Sequence, residues 1–111
     1  RPAEPQVRVG ALVRNDPGDF NNDGFNESRG YYSIALDGGL ARFSFNRPGQ
    51  LRFYPTFKLY NSAGRQCWVY VDGRLIQRTW RDRQGRLLFQ IDRIIDKPIT
   101  VEAVCSPTDQ E

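Results

Sequence analysis

The feature that most constrains the fold of this 111-residue chain is a succession of short alternating runs separated by turn residues. In the run LARFSFN, the apolar residues Ala41, Phe43 and Phe45 occupy every second position, and polar residues stand between them. A period of two is typical of a strand that buries one face, whereas no long segment shows the period of an amphipathic helix. The sequence therefore predicts an all-β protein.

Turn signals divide the chain into about eight short strand candidates without a crossover helix, which predicts an antiparallel β-sandwich of immunoglobulin or jelly-roll type. The strongest signal is DGR at Asp72–Arg74, which is typical of a two-residue hairpin. The longest candidate, LRFYPTFKLYN, contains Pro55, which has no N–H to donate to a sheet. We therefore expect this segment to be an edge strand, a bulge or two shorter strands.

The length is that of one domain, so we expect residues 1–111 to form a single β-sandwich domain, with 1–5 and 106–111 as linker or tail. The opening RPAEPQ is typical of a linker end. It suggests a domain excised from a larger secreted protein, in which it is tethered to other domains, or alternatively a mature protein after processing. Because no run of about 18 apolar residues occurs, the sequence predicts no membrane span.

The chain contains two cysteines, Cys67 and Cys105, which are too few for a structural zinc site in a chain without histidine. Cys67 shares a strand face with Val69, and Cys105 shares one with Val101 and Ala103. Both thiols should therefore point into the core, where a disulfide between two strands is expected. Two buried free thiols are the alternative. A disulfide indicates an oxidising compartment, which predicts a secreted or cell-surface protein.

The acidic segment DFNNDGFNE contains the first half of a calcium-binding loop pattern: Asp19, Asn21 and Asp23, followed by a glycine that allows a sharp turn. The carbonyl of Phe25 and the carboxylate of Glu27 fall at the seventh and ninth positions of the loop. The twelfth position lacks the bidentate glutamate, and a strand candidate follows instead of a helix, which excludes an EF-hand. A polar turn without metal is the alternative, because Asp and Asn also stabilise turns through the backbone.

The segment Asp19–Glu27 resembles the calcium loops of dockerins, thrombospondin type 3 repeats and FG-GAP repeats, in which DxNxDG occurs outside a helix-loop-helix. The resemblance covers only this segment and implies nothing about the fold. It implies a structural Ca²⁺ in a loop between two strands, with weak affinity because the glutamate is missing.

In the segment CWVYV, Trp68 and Tyr70 alternate with the cysteine and the valines, so their side chains should face outward. If this strand pairs with the preceding one through the turn NSAGRQ, one outer face carries several aromatic and basic side chains that suit sugar rings. The predicted ligand-binding residues are Trp68, Tyr70, Tyr54, Tyr60, Arg52 and Lys58. Phe53, Phe57 and Leu59 share the opposite face only if the register continues through Pro55. The alternatives are a different register, or a face covered by another sheet or domain.

Catalysis is not expected, because the absence of histidine excludes the Ser-His-Asp and Cys-His arrangements and histidine-bound metals. A carboxylate pair for glycoside hydrolysis is available in principle, but most aspartates stand at turns, and the chain is short for a substrate cleft. The formal charge of +3 comes mainly from arginine, and no basic run of about five residues occurs. A nucleic-acid partner is therefore not favoured, although arginines on strand faces leave a polyanion binder open.

A small β-sandwich with a structural calcium and an exposed aromatic strip resembles carbohydrate-binding modules and accessory domains of secreted bacterial glycan-active proteins. This resemblance implies a non-catalytic module that binds polysaccharide or glycan and is stabilised by Ca²⁺. The alternative is a structural or protein-interaction sandwich, such as a spacer in a secreted or cell-surface multidomain protein. The two differ in whether Trp68 and Tyr70 are exposed.

Overall fold

The computed structural model describes residues 5–13, 25–26 and 30–107, which form strands and no helix. The strands are β1 (Gln6–Val9), β2 (Ala11–Leu12), β3 (Phe25–Asn26), β4 (Tyr31–Ala35), β5 (Leu40–Phe45), β6 (Arg52–Phe53), β7 (Thr56–Tyr60), β8 (Cys67–Val71), β9 (Arg74–Leu75), β10 (Thr79–Arg81), β11 (Leu87–Gln90), β12 (Ile94–Ile95) and β13 (Ile99–Cys105). The described residues thus contain no helix that could span a membrane.

The strands form two large sheets and one small one. The front sheet has the order β1-β5-β13-β8-β9, and the back sheet has the order β10-β11-β7-β4-β2, with β3 also paired to β4. A two-stranded end sheet joins β12 to β6. The pairs are antiparallel except for β4 and β7, which are parallel. The prediction of an all-β sandwich is confirmed. The strand number exceeds eight, because several paired segments are only two residues long.

The core between the sheets is built around Phe57. Its ring stacks on Phe89 and Tyr32 of the back sheet, with centroids 5.1 and 5.3 Å apart. From the front sheet it meets Phe43 and Phe45, both at 5.2 Å. Aromatic pairs at such distances contribute beyond the area they bury, by about 0.5–1.5 kcal/mol each. The alternation of LARFSFN therefore predicts correctly which side chains of β5 enter the core.

Gly10 carries the chain from the front sheet to the back sheet, between β1 and β2. Its φ of 101° lies in a region that L side chains rarely adopt. A Cβ atom at this position would lie 2.5 Å from the carbonyl oxygen of Ala35 and 3.2 Å from Cβ of Ala41. The two sheets can therefore approach closely at this edge only because the crossing residue has no side chain.

The predicted hairpin and disulfide are both confirmed. Asp72 and Gly73 have φ values of 50° and 82°, as the turn between β8 and β9 requires, since both central residues of a type I′ turn take positive φ. Cys67 and Cys105 are directly opposite each other in the β8–β13 ladder and form a disulfide. Cys105 is buried, and Cys67 packs against the core while partly exposed.

The expected pairing of the CWVYV strand with the preceding strand is wrong. β7 lies in the back sheet between β4 and β11, whereas β8 lies in the front sheet between β13 and β9. The turn between them is held against the β10–β11 hairpin by Arg81, whose guanidinium donates to the carbonyl oxygens of Ser62, Arg65 and Gly85. The turn NSAGRQ therefore connects the two sheets instead of closing a hairpin.

The register does not continue through Pro55, so the condition under which Phe53 would share a face with Phe57 and Leu59 is not met. The segment divides into β6 and β7, one of the outcomes expected from the proline. Tyr54, between them, has a φ of 48°. As a result, Phe57 and Leu59 are fully buried, whereas Phe53 lies in the end sheet and is 63% exposed.

Candidate functional site

The outer face of the front sheet carries the exposed tryptophan and tyrosine that the sequence predicts. In β8, the buried residues Val69 and Val71 alternate with Trp68 and Tyr70, which point to the opposite side. Trp68 is 39% exposed, and Tyr70 is partly exposed. In β13, buried residues alternate with more exposed ones from Ile99 to Cys105, and the more exposed ones lie on the same outer side as Trp68. The prediction that Trp68 and Tyr70 face outward is therefore confirmed.

Cross-strand pairing surrounds these two rings with defined neighbours. Val104 of β13 lies opposite Trp68, and Glu102 lies opposite Tyr70. On the other side of Tyr70, the opposite residue is Leu75 of the short edge strand β9. Side chains at directly opposite positions have their Cβ atoms about 4.5–5.5 Å apart and so touch. Continuing across β5, Leu40 lies opposite Val104, and Arg42 lies opposite Glu102. The "Trp68 face" denotes this set, Trp68, Tyr70, Leu75, Val104, Glu102, Arg42 and Leu40.

The Trp68 face contains an exposed ion pair beside its apolar part. Arg42 Nη2 donates to Glu102 Oε2 at 3.1 Å, and both side chains are more than one third exposed. An exposed pair of this kind contributes little to stability. Because both side chains are exposed, the Glu102 oxygens and the Arg42 N–H groups are accessible to the hydroxyl groups of a ligand. The face is thus an aromatic and aliphatic surface with one pair of hydrogen-bonding side chains at its side.

Lys58 and Tyr60 lie on the outer side of the back sheet, away from the Trp68 face, and Lys58 is buried. Its ammonium group lies 3.5 Å from Asp82 Oδ2 and 3.3 Å from the Tyr31 hydroxyl. The same group stands over the rings of Tyr31 and Tyr60, 5.1 Å from each centroid. The guanidinium group of Arg86 also lies over the Tyr60 ring, with its Cζ atom 4.5 Å from the ring centroid. Lys58 therefore neutralises the partly exposed carboxylate of Asp82 and fills an aromatic enclosure of its own chain.

Asp82 is held in its charged form by this cluster. Partial burial raises the pKa of Asp82, but hydrogen bonds from the backbone N–H groups of Arg86 and Gln84 and the ammonium group of Lys58 outweigh it. The net effect lowers the pKa below its ordinary value of 3.8. Asp82 Oδ1 accepts both backbone hydrogen bonds at 2.9 Å, which closes the turn between β10 and β11. The cluster thus stabilises this turn, because the negative charge of Asp82 is compensated by the Lys58 ammonium group and by two backbone N–H groups.

Tyr54 and Arg52 occupy a third place, at the end sheet. The Arg52 guanidinium donates to the carbonyl oxygen of Leu51 at 3.1 Å and to Gln50 Oε1 at 2.9 Å. The single ligand-binding face expected from the sequence is therefore divided among three surfaces. Trp68 and Tyr70 remain together on the front sheet, Lys58 and Tyr60 on the back sheet, and Arg52 and Tyr54 at the end.

The predicted metal ligands Asp19, Asn21, Asp23 and Glu27 lie outside the described residues. Phe25 is described, and it belongs to β3, paired with Tyr32 of β4. Its ring meets that of Tyr32 edge-on at 4.7 Å, and Tyr32 belongs to the core. Within residues 5–13, 25–26 and 30–107, no group of three or more His, Cys, Asp or Glu side chains is placed to hold a metal ion.

The binding face predicted from the sequence lacks the aliphatic and charged members of the Trp68 face, namely Leu40, Leu75, Val104, Glu102 and Arg42. Each of them lies on a strand whose alternation could be read, but the order of the strands in the sheet decides which of them meet. Comparison of the chain with protein families, with curated proteins and with solved structures gives no match.

Proposed function

We propose that this protein is a non-catalytic carbohydrate-binding module that uses the Trp68 face. The observation that carries this proposal is the outward alternation of Trp68 and Tyr70 on β8, beside the exposed pair of Arg42 and Glu102. Residues two apart in a strand are separated by about 6.5–7 Å, so the two rings stand side by side along β8. Sugar rings have apolar faces that stack on such rings, and their hydroxyl groups bond to flanking polar side chains.

A matched pair of tryptophan variants tests the proposal. Trp80 on β10 is 43% exposed, close to the 39% of Trp68, but it lies on the back sheet. Substituting either tryptophan by alanine removes the same ring from a similarly exposed site. We expect each variant to lose a similar amount of stability, about 1–3 kcal/mol. Only Trp68→Ala is expected to weaken glycan binding, by at least about tenfold, because the ring supplies most of the stacked area.

The measurement is a glycan array with the wild-type protein, followed by calorimetric titration of the best oligosaccharide into both variants. Equal affinity of Trp68→Ala and the wild type would place the binding site elsewhere. A wild-type protein that binds no saccharide on the array would refute the proposed function. Thermal unfolding of both variants shows whether they are folded at the temperature of the titration.

A protein-binding role is the second candidate, and a specific feature of the Trp68 face favours it. Val104 and Leu75 are 39% and 46% exposed beside the two aromatic rings. Exposed aliphatic side chains next to aromatic ones are typical of the apolar centre of a protein interface. Such a module acts as an interaction spacer. Val104→Ser and Leu75→Ser separate the candidates, since a protein partner would lose affinity with both, whereas a glycan stacked on Trp68 and Tyr70 would keep most of its affinity.

We also propose that Ca²⁺ binds at the Asp19–Glu27 segment and stabilises the domain. The support is the ligand spacing in the sequence together with the position of Phe25, which belongs both to this segment and to β3. Because β3 pairs with β4 and the Phe25 ring packs on a core tyrosine, an ion bound next to Phe25 would act directly on the back sheet. We further propose a secreted or cell-surface location, which the Cys67–Cys105 disulfide supports.

A further inference from the structure

Tyr54 has a backbone conformation that its residue type does not favour. Its φ of 48° lies in the left-handed region, where a bulky side chain is a genuine outlier. Among the described residues, the others with positive φ, apart from glycines, are Asn46, Asn61 and Asp72, which tolerate this region through their short polar side chains. Tyr54 also precedes Pro55, and a following proline restricts the backbone further.

Hydrogen bonds on both sides hold the Tyr54 backbone in place. Its N–H donates to the carbonyl oxygen of Arg93 at 3.2 Å, and its own carbonyl oxygen accepts from Gln90 Nε2 at 3.1 Å. One residue later, the carbonyl oxygen of Pro55 accepts from the N–H of Ile91 at 3.0 Å. The strained conformation is therefore imposed by contacts with the last residue of β11 and with the segment between β11 and β12. It directs the Tyr54 ring away from the core.

The Tyr54 ring does not join the core in return for this strain. The residue is 46% exposed, although the same backbone would suit glycine or asparagine with less strain. Strained residues persist where the surrounding structure holds them, and they concentrate at sites of binding and catalysis. An exposed tyrosine in a strained conformation therefore indicates a ring that serves contacts outside the chain.

A cleft of about 260 Å³ adjoins this ring. Its lining includes Phe25, Tyr32, Arg52, Phe53, Tyr54 and Thr56. Tyr32 is buried and forms an apolar base, whereas Phe53 and Tyr54 are exposed at the rim. The volume is below the range of about 300–1,000 Å³ that is typical of sites for drug-sized ligands. The cleft therefore has room for one ring rather than for an extended chain.

We propose that this cleft is a second glycan subsite, which takes a single sugar ring against Tyr54 and Phe53. Aromatic walls suit the apolar face of a pyranose, and Arg52 and Thr56 supply polar groups for its hydroxyls. The proposal rests on the proposed function as regards the class of ligand. It is independent of the Trp68 face in its residues, because the cleft belongs to the end sheet and the back sheet. Two subsites on one module increase the affinity for a polysaccharide that reaches both.

The test uses the wild type, Tyr54→Asn and a control variant, Leu51→Asn. Leu51 is 53% exposed just before β6 and is not part of the cleft lining. We expect Tyr54→Asn to melt at the same temperature as the wild type or above it, because asparagine tolerates positive φ. We also expect it to bind the best polysaccharide from the glycan array at least about tenfold more weakly. Leu51→Asn should bind as the wild type does.

Each outcome decides the proposal. Tyr54→Asn with wild-type affinity would overturn the second subsite and leave the Trp68 face as the binding site. A melting temperature of Tyr54→Asn lowered by more than about 5 °C would show that the ring stabilises the fold, and this also overturns the proposal. If Trp68→Ala and the wild type bind equally while Tyr54→Asn binds weakly, the cleft is the principal site and the role of the Trp68 face is refuted. A wild type that binds no saccharide refutes both.

Discussion

Removal of the disulfide is expected to cost this domain a large part of its stability. The Cys67–Cys105 bond joins positions 38 residues apart, at the end of the β8–β13 ladder. In the chain-entropy model, closing a loop of this length removes about 13 cal/mol/K from the unfolded state. At 25 °C this corresponds to about 4 kcal/mol of stabilisation. A domain of this size typically has a total stability of about 5–15 kcal/mol, so the loss is substantial.

The double variant Cys67→Ala, Cys105→Ala should nevertheless fold, because other contacts hold the same strands. β13 keeps its six-residue register with β5, and beyond the cysteines the N–H of Ser106 donates to the carbonyl oxygen of Gln66 at 2.8 Å. Since about 1 kcal/mol shifts the melting temperature of a domain this size by about 4 °C, we expect a decrease of roughly 15 °C.

Thermal unfolding followed by circular dichroism, with and without a phosphine reductant, measures the effect. The reductant should lower the melting temperature of the wild type toward that of the double variant and leave the double variant itself unchanged. A decrease of less than about 4 °C would refute the reasoning, because the bond would then restrict the unfolded chain much less than the chain-entropy model requires.

Two further predictions concern ionic groups. The lowered pKa of Asp82 means that its carboxylate stabilises the fold above its unfolded value of 3.8, and that this contribution is lost as the pH falls through the still lower folded value. Urea unfolding between pH 7 and pH 3 should therefore show a decline below about pH 4 that is weaker in Asp82→Asn, and equal slopes in both proteins would contradict the role of the Lys58 contact. For the metal, Ca²⁺ should raise the melting temperature relative to EDTA, by an amount that corresponds to about 2.7 kcal/mol at a hundredfold excess over Kd. Asp23→Ala should remove this response and Asp96→Ala, at an exposed turn, should keep it; identical wild-type melting curves in Ca²⁺ and in EDTA would contradict calcium binding.

The direction of side chains within a strand could be predicted from the sequence, because it depends only on the period of two. Alternation assigned Val69 and Val71 to the core and Trp68 to the surface, and the structure agrees. The same reasoning placed both cysteines toward the interior, where the disulfide joins two strands. The hairpin at Asp72 and Gly73 was predictable for a similar reason, since the backbone angles that the turn requires restrict the residue types locally.

The order of the strands could not be predicted, because it depends on contacts between residues distant in the sequence. The turn after Tyr60 has the composition of a hairpin loop, yet β7 and β8 belong to different sheets. Arg81 holds this turn from a hairpin that follows later in the chain, and the parallel pairing of β7 with β4 involves a connection through the front sheet. Neither contact leaves a signal in the residues of the turn itself.

Lys58 shows how this limit affects a site prediction. Alternation correctly places Phe57 and Leu59 inward, so Lys58 points to the outer side of β7. Pointing outward is not the same as exposure, since the ammonium group lies among Tyr31, Tyr60 and Asp82. Burial of a lysine is expected only where such partners compensate its charge. The partners come from β4, from β7 itself and from the turn after β10, and only the order of the back sheet brings them together.

The geometry at Tyr54 has the same origin. The triplet of Phe53, Tyr54 and Pro55 reads as part of an extended strand, because aromatic residues favour strands and a proline favours an extended residue before it. The structure gives Tyr54 a positive φ instead, because its N–H bonds to Arg93, next to the strand that pairs with β6. A local preference is thus overridden by a pairing across about 40 residues of chain. The fold thus accounts for the strained backbone at Tyr54. It does not account for an exposed aromatic ring there, because a shorter or more flexible residue would adopt this backbone conformation with less strain. That difference between what the backbone requires and what the side chain offers is the reason to assign the Tyr54 ring to a ligand.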